Sequence, residues 1–61
     1  MSDMSTDQAA SIRAVIVQER ASVALYTAQL KEETRPAFIV RLKGLRAYHK
    51  AQIKRWKEEL K

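Results

Sequence analysis

Apolar residues recur along the chain with the spacing of helices and not of strands. In the first half, Ile12, Ile16, Val23, Tyr26 and Leu30 fall on one face, which Glu19 interrupts. In the second half the face is Phe38, Leu42, Leu45, His49, Ile53, Trp56 and Leu60. Steps of three and four residues follow the 3.6-residue turn of an amphipathic helix, whereas a strand would alternate every second residue.

Boundary signals bracket both stretches. Ser5 with Gln8 three residues later fits a capping box, and Asp7 suits the positive end of a helix dipole. A helix is predicted over about residues 6–31. The stretch Glu32-Glu33-Thr34-Arg35-Pro36 interrupts the pattern. Proline is tolerated in the first turn of a helix and not in its interior, and Thr34 is the expected cap of the next one. A turn over about 32–35 and a second helix over about 36–60 follow.

Two helices of about 25 residues, each roughly 38 Å long, joined this tightly must lie antiparallel. The expected fold is all-α: one helical-hairpin domain over residues 1–61. If the hairpin folds about Thr34, residues equidistant from it lie level. Leu30 then meets Phe38, Tyr26 meets Leu42, Val23 meets Leu45, Ile12 meets Trp56, and Ile16 lies close to Ile53. Apolar meets apolar throughout. The two polar interruptions, Glu19 and His49, are level as well, so they are expected to form a buried polar pair. A carboxylate beside an imidazole favours the ion pair. Its expected role is to fix register and partner choice, as a lone polar residue does in a coiled coil.

The first helix carries a second seam of small residues: Ala10, Ala14, Val17, Ala21, Ala24 and Ala28. A lesser seam on the second helix runs Ala37, Val40, Gly44, Ala47 and Ala51. Small residues at heptad spacing let helices approach closely, which would explain a glycine at a helix-interior position. A chain of 61 residues with no cysteine has neither a large core nor disulfides to stabilise it. Self-association into a homodimer or higher oligomer, two hairpins forming a four-helix bundle, is therefore expected. That architecture is similar, in length and topology, to the dimeric-hairpin copy-number regulators of plasmids.

Charge changes the picture again. Residues 1–33 hold three basic and five acidic side chains, a net of −2, and residues 34–61 hold nine basic and two acidic, a net of +7. On the second helix Lys43, Arg46, Lys50, Lys54, Lys57 and Lys61 recur on one sector with no acidic residue interleaved. Such a row suits an acidic partner, with a nucleic-acid backbone favoured over an acidic protein surface. No helix-turn-helix, zinc-finger or RNP motif is present to read bases.

Other chemistry finds little support. Without cysteine or a Gly-rich phosphate loop, and with no base paired to Ser5, Thr6, Ser11, Ser22 or Thr27, an enzyme is not expected. The Glu19–His49 pair offers one carboxylate and one imidazole per chain, a thin metal-ligand set, so no metal or other cofactor is expected. Trp56 falls on the helix-facing stripe, which favours packing over a membrane or calmodulin-target role. Uninterrupted apolar runs such as 14–17 and 23–26 are only four residues long, so no integral membrane association is expected. The absence of cysteine and of any leader pattern makes the cytoplasm the expected location. The functional expectation is a small non-enzymatic regulator. The alternatives are a protein-interaction module, such as an inhibitor or adaptor, and a structural assembly unit.

Overall fold

The computed structural model describes residues 5–61. Helix α1 spans Thr6–Glu32 and helix α2 spans Pro36–Glu59, and the two pack against each other along their length. No strand occurs among the described residues.

The start of α1 is the capping box. The Gln8 backbone N–H donates to Ser5 Oγ (3.1 Å), and the Ser5 backbone N–H donates to Gln8 Oε1 (3.2 Å). Two backbone N–H groups that the first turn leaves without helical partners are thereby satisfied. The helix ends where Glu33 turns extended, at ψ 131, with its N–H still donating to the Gln29 carbonyl.

At the turn the structure departs from expectation. Arg35, not Thr34, occupies the N-cap of α2, in an extended conformation and with no side-chain cap. The ring of the following Pro36 disfavours helical geometry at Arg35, so the cap falls one residue past Thr34 while the helix starts at Pro36 as expected. The carboxylate of Glu33 organises the turn in place of a threonine hydroxyl. It accepts from the backbone N–H groups of Thr34 (3.2 Å) and Arg35 (3.1 Å) and from Arg35 Nε (2.9 Å) and Nη2 (3.2 Å). The same guanidinium lies 3.9 Å from the centroid of the Phe38 ring, a cation–π contact.

The Arg35 side chain and backbone, assisted by Thr34, hold the Glu33 carboxyl down to about 2 from its ordinary 4.5. A carboxyl depressed by folding favours the folded turn above its ordinary pKa, and that contribution fades as pH falls from about 4.5 towards 2. An NMR titration should place the Glu33 midpoint near 2, and Arg35→Gln should return it towards 4.5. A wild-type midpoint near 4.5 would mean that Arg35 does not hold the carboxylate in solution.

Packing between the helices is shallow. Ile16, 6% exposed, is the one buried residue among those described. Ile12, Val23, Tyr26 and Leu30 of α1 are half-buried, as are Leu42, Leu45, His49, Ile53, Trp56 and Leu60 of α2. Phe38 is a correction: it stays 43% exposed, and Ile39 takes the half-buried place beside it. At the first turn of α2 the Phe38 ring is engaged by Arg35 and not enclosed by α1.

Candidate functional site

Two groups of side chains stand out, a polar cluster at the waist of the hairpin and the basic row along α2. At the waist, His49 Nδ1 lies 2.8 Å from Glu19 Oε1, joining the helices across 30 residues of chain. With the proton on Nδ1, the imidazole donates to the carboxylate. The pair is half-buried and not fully enclosed, with side chains 19% and 17% exposed. The His49 ring lies 5.6 Å from Tyr26 across the interface and 5.3 Å edge-on from Tyr48 on its own helix. Gln52 Nε2 in turn donates to Tyr48 Oη at 2.9 Å. No buried side-chain nitrogen or oxygen among the described residues lacks a hydrogen-bond partner. Among the described residues no three His, Asp or Glu side chains gather where they could hold a metal ion.

The basic row is placed by helix geometry. Lys43, Lys50, Lys54, Lys57 and Lys61 are exposed, while Arg46 is half-buried beside the contact face. Lys50, Lys54, Lys57 and Lys61 line one shallow groove together with Ile53 and Glu58. Lys61 Nζ lies 3.4 Å from Glu58 Oε2 as an exposed ion pair. Among the described residues no other member of the row has a carboxylate within 4.0 Å. From Lys43 to Lys57 the row runs about 21 Å along the helix.

The small-residue seams point elsewhere. Ala10, Ala14, Val17, Ala21, Ala24 and Ala28 are all exposed, as are Ala37, Val40, Gly44, Ala47 and Ala51. In α1 each seam residue precedes a contact-face residue by two, for instance Ala14 before Ile16 and Ala24 before Tyr26. Two residues are about 200° of rotation, so the seam lies on the back of α1, away from α2. A β-carbon added at Gly44 would meet nothing within 4 Å, so the hairpin itself does not require that glycine.

Two features escaped the sequence pattern. The Glu33–Arg35–Phe38 arrangement depends on extended backbone at the turn, which no periodicity encodes. The Tyr48–Gln52 contact was open to discovery, since residues four apart on a helix are neighbours.

No protein-family model, curated protein or solved structure matches this chain. No helix among the described residues is long and apolar enough to cross a membrane. The functional reading therefore rests on the residues themselves.

Proposed function

We propose that this is a small non-enzymatic regulatory protein that binds an acidic partner, a nucleic-acid backbone above all, through the basic row of α2. The supporting observation is the row itself: Lys43, Lys50, Lys54 and Lys57 are exposed with no carboxylate within 4.0 Å among the described residues. Their charge is available to an outside partner and is not spent on internal ion pairs. A row of cations neutralises phosphates and releases counterions, which makes affinity fall steeply with salt.

The working form is a homodimer in which the α1 seams meet back to back, four helices in all. Two observations support it. The hairpin fully buries only Ile16 among the described residues. It exposes 4994 Å², where a compact monomer of this mass would expose about 4,000 Å². Because each seam lies on an outer back, one partner hairpin covers one seam. The exposed seam on α2 is then open to higher assembly.

The competing class is a protein-interaction module. Its support is the set of exposed apolar side chains, with Val40 71%, Val17 63% and Tyr48 57% exposed.

The test is polarisation binding to mixed DNA and RNA between 50 and 200 mM salt. With about five phosphates neutralised, log affinity should fall against log salt with a slope near −4.5, a loss of roughly 500-fold over that range. Lys50→Gln, Lys54→Gln and Lys57→Gln together should make the slope shallower by about 2.7. No binding at 50 mM salt would sink the nucleic-acid reading and leave the protein-interaction module standing.

A further inference from the structure

Each cation of the α2 row directly follows a contact-face residue. Lys43 follows Leu42, Arg46 follows Leu45, Lys50 follows His49, Lys54 follows Ile53, Lys57 follows Trp56 and Lys61 follows Leu60. All three basic residues of α1 obey the same offset: Arg13 follows Ile12, Arg20 follows Glu19 and Lys31 follows Leu30. One residue is about 100° of rotation, so in both helices the cations lie a quarter-turn from the contact face in the same rotational sense.

Antiparallel pairing gives this offset its consequence. Seen from one end of the hairpin, α1 and α2 wind in opposite senses, and their contact faces point towards each other. A quarter-turn forward from each contact face therefore arrives at the same broad side of the molecule. In a parallel pair the two rows would arrive on opposite sides. We infer that Arg13, Arg20 and Lys31 join the α2 row in one basic face built by both helices, and that this face takes the phosphate backbone of a nucleic-acid duplex. The inference rests on the proposed polyanion binding and deepens it by naming the second helix and the partner.

Among the described residues most of the acidic side chains lie away from this face. Glu19 is in the helix contact with His49, and Glu33 is held by Arg35 in the turn. Asp7, Glu32 and Glu59 fall on other sectors of their helices, and Glu58 is the one acidic exception among the described residues, lining the groove of Lys50, Lys54, Lys57 and Lys61 and pairing with Lys61. The opposite broad side carries the residues that precede the contact face by one, among them Gln29, Arg41, Tyr48, Gln52, Arg55 and Glu59. Gln52, Arg55 and Glu59 line a common cleft there, with no member of the basic row in it. The two sides differ in chemistry as well as in charge.

A duplex fits this face better than a single strand or a membrane does. Single-strand binding uses aromatic platforms among the cations, and interfacial helices use aromatic and apolar groups that enter the lipid. The exposed Tyr48 is on the opposite side, Trp56 is half-buried in the helix contact, and Phe38 is engaged by Arg35. Val17, 63% exposed, directly follows Ile16 and adds one apolar side chain to the edge of this face.

The experiment compares two variants of equal charge. Arg13→Gln with Arg20→Gln removes two cations from the inferred face, and Arg41→Gln with Arg55→Gln removes two from the other side. Both are measured against a 24-base-pair duplex, the matching single strand and anionic phosphatidylserine vesicles from 50 to 200 mM salt. The first pair should make the duplex salt slope shallower by about 1.8, with an affinity loss of tenfold or more at 100 mM, while the second changes the slope by less than about 0.5. Lys31→Gln, exposed near the turn, should reduce the slope by about 0.9 and serves if the double variant loses its helical circular dichroism. Equal losses from the two pairs would overturn the single face and leave polyanion binding by net charge intact. Tighter binding to the single strand or the vesicles would overturn the duplex. No binding of wild type to any of the three would remove the proposed function and this inference together.

Discussion

Ile16→Ala is expected to remove most of the stability of the hairpin. Ile16 is the one buried side chain among the described residues, and its neighbours across the interface are only half-buried. Truncating a buried isoleucine to alanine costs about 2–5 kcal/mol, the lost transfer energy plus the cavity left behind. A domain of this size has only about 3–9 kcal/mol in total. Ile16→Val, losing one methyl group, should cost about 0.5–1.5 kcal/mol and keep the fold. Urea unfolding followed by circular dichroism measures both, and it should be run at two protein concentrations because association adds concentration-dependent stability. If Ile16→Ala unfolds within about 0.5 kcal/mol of wild type, far below the expected core penalty, the stability resides outside the α1–α2 contact.

The second large effect is expected at Glu19 and His49, and it concerns uniqueness more than stability. Removing either partner alone strands the other, a half-buried polar group between apolar neighbours, at a cost of about 1–3 kcal/mol. The pair is 17–19% exposed, which places the cost towards the lower end. Replacing both with leucine removes the stranded group and restores apolar packing, so the double variant should be as stable as wild type or more so. What it loses is a contact that penalises a slipped register, beside the constraint that the short turn already sets. Sliding α2 past α1 by a turn keeps apolar residues together but separates His49 from Glu19. Wild type should therefore sediment as a single dimer, and the double leucine variant should spread over several species. A double variant that still sediments as one discrete oligomer would remove the register role from the pair.

Much of this arrangement was legible before any coordinates. The Ser5–Gln8 capping box is a contact between residues three apart, so its members announce it. Folding the chain about Thr34 put Glu19 level with His49, and they meet at 2.8 Å. The misses cluster where periodicity ends. Thr34 was the expected cap because of its side chain, yet Pro36 dictates extended backbone at Arg35, which takes the cap position while the helix starts at Pro36 as expected. Phe38 belongs to the apolar stripe by spacing, but it sits in the first turn of α2, where Arg35 engages its ring. The Glu33 carboxylate gave no sign of its role, since a charged residue in a turn is ordinarily solvated.

The order of residues alone determined two helices, their lengths and the stripe each turns towards the other, because helical period is a local property. It also determined that every cation of α1 follows a contact residue by one. Which broad side those cations share was not a local matter. Antiparallel pairing decides it, since reversing one helix reverses its winding as seen by the other and brings Arg13, Arg20 and Lys31 round to the side of Lys50, Lys54 and Lys57. The tertiary structure likewise decided how little is buried, because two helices side by side can enclose only the narrow strip between them, and here that strip closes over Ile16 alone among the described residues.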